Sequence, residues 1–297
     1  MSNYTTETIN TQFINQSFLD KIDQGMEKEA GAAMSAFVRQ KLREDGFTRK
    51  ILTPVSITAS ELDRQLSEEP QVIVEKEPDS VAANLPFLSR AEIRYFTGSR
   101  YAVTFQKISS AEFKKSKFEL ATYRTDIRTI LQENSVKDLQ EQEDKNFYNN
   151  CLTVATANSN VNTISGGFNV ANLNAGIKFL LEKKLPVGCI LMTQSMYADL
   201  LAQPATQIGS AAASELFRGQ ASLDNFFGYK IITTNKTDIL PTNQALVFAP
   251  QEYTGNFFSL QEPTVFLKTE ADMIQFQTYE AIGSSLGNVS AVQVLNF

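Results

Sequence analysis

The chain has 297 residues, 42% hydrophobic and 20% charged, with a net charge of −6 and a pI of about 5.0. At ~100–200 residues per domain this is enough for about two domains with a real core, and the composition excludes a disordered, collagen-like or disulfide-stapled chain. Histidine is absent, which removes Ser-His and Cys-His nucleophile pairs, His-ligated zinc and any imidazole base.

Two cysteines, Cys151 and Cys189, cannot build a disulfide framework or a Cys-rich metal site, and read as reduced thiols of an intracellular protein. The charge is dispersed. Residues 1–50 carry seven basic and seven acidic side chains, and residues 166–297 carry seven and ten. An acidic chain without a basic tail has no global attraction to nucleic acid or anionic membranes. The polar start, with Glu7 as its first charge, lacks the basic and apolar regions of a signal peptide. No run of 18 apolar residues occurs, so no membrane-spanning helix and no membrane partner are expected.

In chain order, residues 1–16 read as a polar arm. Residues 18–44 follow as an amphipathic helix, with Phe18, Ile22, Met26, Ala30, Ala33, Met34, Phe37 and Val38 on one stripe, Ser17 as N-cap and Gly46 as terminator. Residues 50–123 turn β-rich, with runs at 54–58, 71–75, 100–108 and 113–122. Between them lies a polar excursion, residues 75–89, expected to be the tip of a long two-stranded ribbon. Such a ribbon is marginal alone in water and needs a neighbour.

The longest helical pattern covers residues 125–156. Its apolar stripe begins at Ile127, Ile130 and Leu131 and continues at Leu139 and Leu152. Glu133–Lys137 and Glu141–Lys145 are favourable i,i+4 pairs. Its polar middle predicts a half-solvated spine.

Residues 158–167 are a linker by composition. An α/β pattern follows: a helix at 170–184 with Val170, Leu173, Ile177, Leu180 and Leu181 on one face, a buried strand at 189–192, and a helix capped by Ser195 and stopped by Pro204. A small, polar surface loop is expected at 205–221, then strands at 229–234 and 245–248. The last strands are predicted at 264–267, 272–279 and 289–295.

Few constellations carry chemistry. Gly283-Ser-Ser285-Leu-Gly287 matches the nucleophile-elbow spacing G-x-S-x-G, but strand patterns flank it and no histidine exists to activate Ser285. A hairpin turn with glycines at positive φ is the better expectation. Gly166-Gly167 precedes a helix but lacks the lysine and strand of a phosphate loop, and reads as a hinge. The acid groups Glu68/Glu69, Glu75/Glu77/Asp79 and Glu141/Glu143/Asp144 read as solvated charge rather than metal ligands. Lys114, Lys115 and Lys117 are too few for a nucleic-acid groove, and alternate with Phe113 and Phe118 as on a strand. Phe226-Phe227 and Phe257-Phe258 read as core or interface anchors. No catalytic, cofactor-binding or metal-binding residue is therefore expected. An arm, a helix, a ribbon, a spine and a compact α/β unit in one chain leave apolar surface for partners.

This order of parts resembles the major capsid protein of tailed bacteriophages, the Hong Kong 97-type fold shared with encapsulins. The local phrases are similar too: Cys189-Ile-Leu-Met-Thr-Gln-Ser-Met-Tyr-Ala-Asp-Leu200, the strand from Gly228 to Thr234, and Ala245-Leu-Val-Phe-Ala-Pro250 followed by Tyr253. The resemblance implies an α+β fold with an N-terminal arm and helix (1–49), an extended β-hairpin or E-loop (50–122), a peripheral domain with spine helix (123–165 and 263–297) and an axial α/β domain (166–262). It implies a non-enzymatic subunit assembling into hexamers and pentamers of an icosahedral shell around double-stranded DNA. The chain would reside in the virion and assemble in the host cytoplasm. Its partners would be itself, a separate scaffolding protein, the portal and decoration or cement proteins, with DNA contacted weakly. No cofactor is implied. Alternatives from the residues are an encapsulin-like compartment, another phage structural protein such as a tail component, or an enzyme working without histidine.

Overall fold

The structure, a computed structural model, describes residues 44–63, 69–78, 82, 84–87, 89–90, 98–122, 127–201, 225–226 and 228–297. The expected arm, the stripe from Phe18 to Val38 and the loop at 205–221 lie outside the described residues.

A six-stranded sheet forms the centre. Its order is β6 (Val161–Thr163), β13 (Val292–Asn296), β10 (Gln244–Phe248), β7 (Cys189–Thr193), β9 (Tyr229–Thr234) and β8 (Asn225–Phe226). β7 and β10 are buried at every position, as expected of near-continuous apolar runs covered on both faces. Alternation sorts their side chains. Cys189, Leu191, Leu246, Phe248, Val292 and Val294 point to one core, while Ile190, Met192, Ala245, Val247 and Leu295 point to the other. The second core is closed by α4 (Val170–Glu182) and α5 (Gln194–Leu201).

α4 begins where Asn169 Oδ1 accepts from the Asn172 amide at 2.8 Å, a side-chain N-cap. Its buried face is Val170, Leu173, Gly176, Ile177 and Leu180. Leu181, expected on that face, is exposed. β7 and β9 are parallel, with α5 in the crossover between them.

The first core is closed by α3 (Ile127–Ala157), the long helix expected from the pattern at 125–156. Leu139, Phe147, Tyr148, Cys151 and Ala155 are its buried apolar positions. Phe147 and Phe248 stack with ring centroids 5.8 Å apart.

A second sheet leans on the same helix. β11 (Gly255–Glu270) and β12 (Met273–Leu286) form a long antiparallel hairpin. β1 (Val55–Ser56) adds to β11 in parallel, and β4 (Gln106–Ser109) and β5 (Phe113–Ser116) add to β12. Both hairpin strands exceed the expected runs at 264–267 and 272–279. The pattern was interrupted because the register shifts between Ser259 and Thr264. Pro263 lies at that irregularity, where a strand tolerates a missing N–H.

The run expected to be one strand at 113–122 is strand only to Ser116. There Ser116 Oγ accepts from the Phe118 amide at 3.3 Å and α2 (Lys117–Thr122) begins. Lys-Phe-Glu-Leu-Ala is good helix-forming composition.

Within residues 50–122, the two-stranded sheet itself is β2 (Gln71–Glu75) paired with β3 (Arg100–Thr104). The final residues divide by their hydrogen bonds: β11 and β12 belong to the hairpin sheet, whereas β13 sits inside the six-stranded sheet.

Candidate assembly surface and its buried anchor

The short helix α1 (Thr48–Ile51) has no side-chain N-cap of its own. Its amides are met from across the chain by α3. Asp144 accepts from the Phe47 amide (3.2 Å), the Thr48 amide (2.9 Å) and the Thr48 hydroxyl (2.8 Å). A carboxylate at a helix start satisfies orphan N–H groups and matches the backbone dipole. Lys236, in the β9–β10 connection, completes the cluster with Nζ 2.6 Å from Asp144 Oδ2. Asp144 is fully buried, as is Thr48.

One residue away, Arg49 spans three elements. Its Nε and Nη2 donate to Glu143 of α3 at 3.0 and 2.6 Å, a bidentate fork. Nη2 also reaches Glu280 of β12 at 3.1 Å, and Nη1 reaches Glu262 of β11 at 3.3 Å. Glu143 and Glu280 are buried. The bond to Glu143 raises the Arg49 pKa. Burial first, and then the Glu143 charge, push the Glu280 carboxyl up.

These positions correct the expectation of a solvated Glu141/Glu143/Asp144 face: only Glu141 is partly open to solvent. Leu139, Glu143, Asp144, Phe147, Tyr148, Cys151 and Ala155 recur at helical spacing, so the two acids lie on the apolar stripe. That spacing is the available signal, since position on the stripe outweighs the charge of the residue type.

The ribbon is rooted at its base, and its described residues further out are largely exposed. Val103 and Phe105 are buried at its root, and Asn256 Nδ2 donates to the Tyr101 hydroxyl at 2.8 Å. Further out, Lys76 N–H still bonds Ser99 O at 2.8 Å, but Glu75 and Arg100 form only an exposed ion pair, a type of pair that adds little. Phe87 and Leu85, in the excursion, are exposed. A cleft of about 840 Å³ separates the ribbon from residues 250–256 and 287–289, with Lys76, Tyr101, Tyr253 and Asn256 in its walls. Other large apolar side chains stand in solvent on the hairpin sheet and beside it: Phe118, Phe113, Phe266 and Val55.

The glycine–serine motif is no turn. Gly283 pairs with Phe258 and Ser285 with Asn256, both inside β12. Neither Gly283 nor Gly287 is among the glycines with positive φ, so the expected role of left-handed turns is corrected. The close approach of the ribbon is what requires them. A Cβ on Gly283 would lie 2.9 Å from Thr104 O, and one on Gly287 would lie 2.7 Å from the Tyr101 hydroxyl. Gly166 and Gly167, by contrast, do take positive φ between β6 and α4.

Glu69, Glu75 and Glu77 are exposed, while Glu68 and Asp79 lie outside the described residues. Among the described residues no group of three or more Cys, Asp or Glu is placed to hold a metal ion. Lys115 pairs with Glu119 at 3.1 Å. Phe257 is buried, and Phe227 lies outside the described residues. Both thiols are buried and their pKa values are raised by desolvation, which keeps them protonated. No described helix is long and apolar enough to cross a membrane.

No protein-family model matches the sequence, and no curated protein matches it. Solved structures do. A structure from Microbacterium phage Oxtober96 superposes with a TM-score of 0.63 at 13% identity, over 91% of this chain and 97% of that one. The capsid of cyanophage P-SCSP1u gives 0.62 at 12% identity, over 89% and 91%. The capsid of the native GTA particle gives 0.62 at 14% identity, over 93% and 98%. The chain therefore has the fold of phage major capsid proteins, the Hong Kong 97-type α+β fold. At these identities the likeness defines the architecture.

Proposed function

We propose that this chain is the major capsid protein of a tailed bacteriophage, a structural subunit of the virion head without enzymatic activity. The observation that carries the proposal is the near end-to-end match, 93% of this chain and 98% of the other, to the capsid of the native GTA particle. A likeness confined to the α/β unit would speak only for a common module. Here the ribbon, spine helix and hairpin sheet accompany it in one chain.

In this reading residues 1–49 are the arm, 50–122 the E-loop, 123–165 with 263–297 the peripheral domain, and 166–262 the axial domain, which β13 joins through its sheet. Subunits associate into hexamers and pentamers of an icosahedral shell enclosing double-stranded DNA. The exposed apolar side chains Phe87, Phe118 and Phe266 are burial sites for neighbouring copies, each large side chain contributing about 1.5–3 kcal/mol when covered. The ribbon gains the neighbour that two lone strands need. Many such contacts act together through effective concentration. Net negative charge suits a lining that holds packaged DNA loosely. A separate scaffolding protein directs closure, portal and decoration proteins complete the head, and assembly takes place in the host cytoplasm.

The test is negative-stain electron microscopy and light scattering of the purified chain, alone and with a candidate scaffolding protein. Closed shells are the expected result. A monomer of about 33 kDa that persists at high concentration with scaffold present refutes the proposal. Shells carrying protein cargo without DNA would favour an encapsulin-like compartment instead.

A further inference from the structure

Three carboxylates, Glu143, Glu262 and Glu280, converge on the single guanidinium of Arg49. Glu262 is half exposed and keeps its water, but the Glu143 and Glu280 side chains have no exposed surface. Glu143 uses both oxygens on Arg49. Glu280 uses only Oε2, and its buried Oε1 has no hydrogen-bond partner among the described residues. Ser259 Oγ is also buried without a partner. It lies across from Ile282 in the hairpin register, on the same face of β12 as Glu280.

Other charges among the described residues do not relieve this imbalance. Lys107 of β4 pairs in register with Ala281 and lies over the Tyr279 ring at 4.4 Å, on the opposite face of β12. Asp144, the next residue of α3, and Lys236 of the β9–β10 connection neutralise each other. Two buried carboxylates and one shared cation leave a full negative charge uncompensated. In a low-dielectric site such a group takes up a proton rather than stay ionised, as paired carboxylates do.

We propose that Glu143 and Glu280 share one buried proton at neutral pH, and that this proton fastens α1 to α3 and β12. The protonated Glu280 becomes a donor toward Glu143, and the pair then carries the single negative charge that Arg49 balances. Removing the proton places two like charges side by side and loosens the segment through which residues 1–43 join the described fold.

The sign of the pH effect follows. Glu280 is pushed up from 4.5 to about 8 in the fold, by burial first and by Glu143 next. Between those values the folded chain holds a proton that the unfolded chain releases. Stability therefore falls as pH rises across that window, and this contribution is flat on either side of it.

The test uses the purified, unassembled full chain, so it stands whether or not shells form. Infrared spectroscopy of the wild type should show a protonated carboxyl band at neutral pH that disappears as the pH rises through about 8. Glu280→Gln, which copies the neutral acid, should remove that band. The slope of log unfolding constant against pH should differ between wild type and Glu280→Gln by about one proton inside the window. Amide exchange at residues 48–52, corrected for its intrinsic pH dependence, should quicken above the window in wild type and not in the variant. Glu143→Gln should move the wild-type band to lower pH, because the neighbouring charge is gone. Absence of the band in wild type at neutral pH overturns the proposal, whether or not either variant folds. Equal slopes in wild type and Glu280→Gln overturn it as well.

Discussion

Replacing Asp144 with alanine should unfasten α1 from the spine helix, and its cost can be worked from the contacts. The substitution leaves three donors of residues 47 and 48 without their acceptor: two backbone amides and a hydroxyl. It also leaves the Lys236 ammonium, whose side chain is only 10% exposed, without its partner at 2.6 Å. A stranded buried charge costs about 3–5 kcal/mol. The amides can recover part of their loss from water admitted to the gap, so the total should stay near that range.

The assay is urea unfolding of the unassembled subunit, with midpoint and slope measured separately. Asp144→Asn keeps one acceptor and should cost less, about 1–3 kcal/mol. The decisive comparison is Asp144→Ala combined with Lys236→Met. Removing the ammonium as well should recover part of the single-mutant loss, so the two effects should be less than additive. The cluster is buried, so added salt should change the Asp144→Ala loss little. A single-mutant loss below about 1 kcal/mol, or strict additivity, would refute the view of Asp144 as the anchor of α1.

Four further outcomes follow from the same geometry. Gly283→Val should destabilise the subunit by about 1–3 kcal/mol in urea titrations, because Thr104 O and Val103 already occupy the space its side chain needs. Tyr148→Phe should cost about 1–2 kcal/mol in the same assay, since the tyrosine hydroxyl donates to buried Gln244 Oε1, and an unchanged midpoint would mean water replaces it. Ser285→Ala should leave any esterase activity of the preparation unaltered and shift stability by less than about 0.5 kcal/mol; loss of a measurable activity would contradict its place inside β12. Replacing residues 77–98 with Asn-Gly, a turn suited to the strand pair closed by Lys76 and Ser99, should leave the subunit's unfolding midpoint close to wild type while abolishing shells by electron microscopy; normal particles would deny the excursion any clamping role.

Sequence patterns located elements wherever one period dominated. Strands buried on both faces, such as Cys189–Thr193 and Gln244–Phe248, are legible as unbroken apolar runs. α4 is legible through its 3.6-residue stripe. The hairpin of β11 and β12 was underestimated because Gln261–Thr264 interrupts the alternation with a register shift, and a two-residue period cannot be followed through a bulge. The strand-to-helix change at Ser116 was missed because lysines alternating with phenylalanines satisfy a strand pattern locally. The anchor was the largest omission. Arg49, Glu143, Glu262, Glu280 and Lys236 are up to 231 residues apart in the chain, and no spacing rule connects them. Only the placement of Glu143 and Asp144 on an otherwise apolar stripe carried a hint.

The distribution of buried contacts separates what holds the fold from what stands exposed. Both hydrophobic cores surround the six-stranded sheet, and among its described residues the ribbon adds to buried structure only near its root, at Gln71, Val103 and Phe105. Its strands beyond that point have each other's hydrogen bonds and solvent on their edges among the described residues. The anchor lies between these regimes. It fixes residues 44–52 to the spine by charge and hydrogen bonds, and Leu52, Ile51 and Phe47 add apolar contact. An apolar contact alone tolerates sliding, whereas a forked guanidinium and a capped pair of amides fix direction. The direction of the chain at Glu44 is thereby set, and if the proposed function holds, a fixed exit would suit an arm that reaches neighbouring copies. Substitutions in the two cores should therefore appear as loss of the folded subunit and those beyond the ribbon root as loss of assembly. Anchor substitutions should weaken the fold and, if the proposed function holds, assembly as well, because they release residues 44–52 from the spine helix.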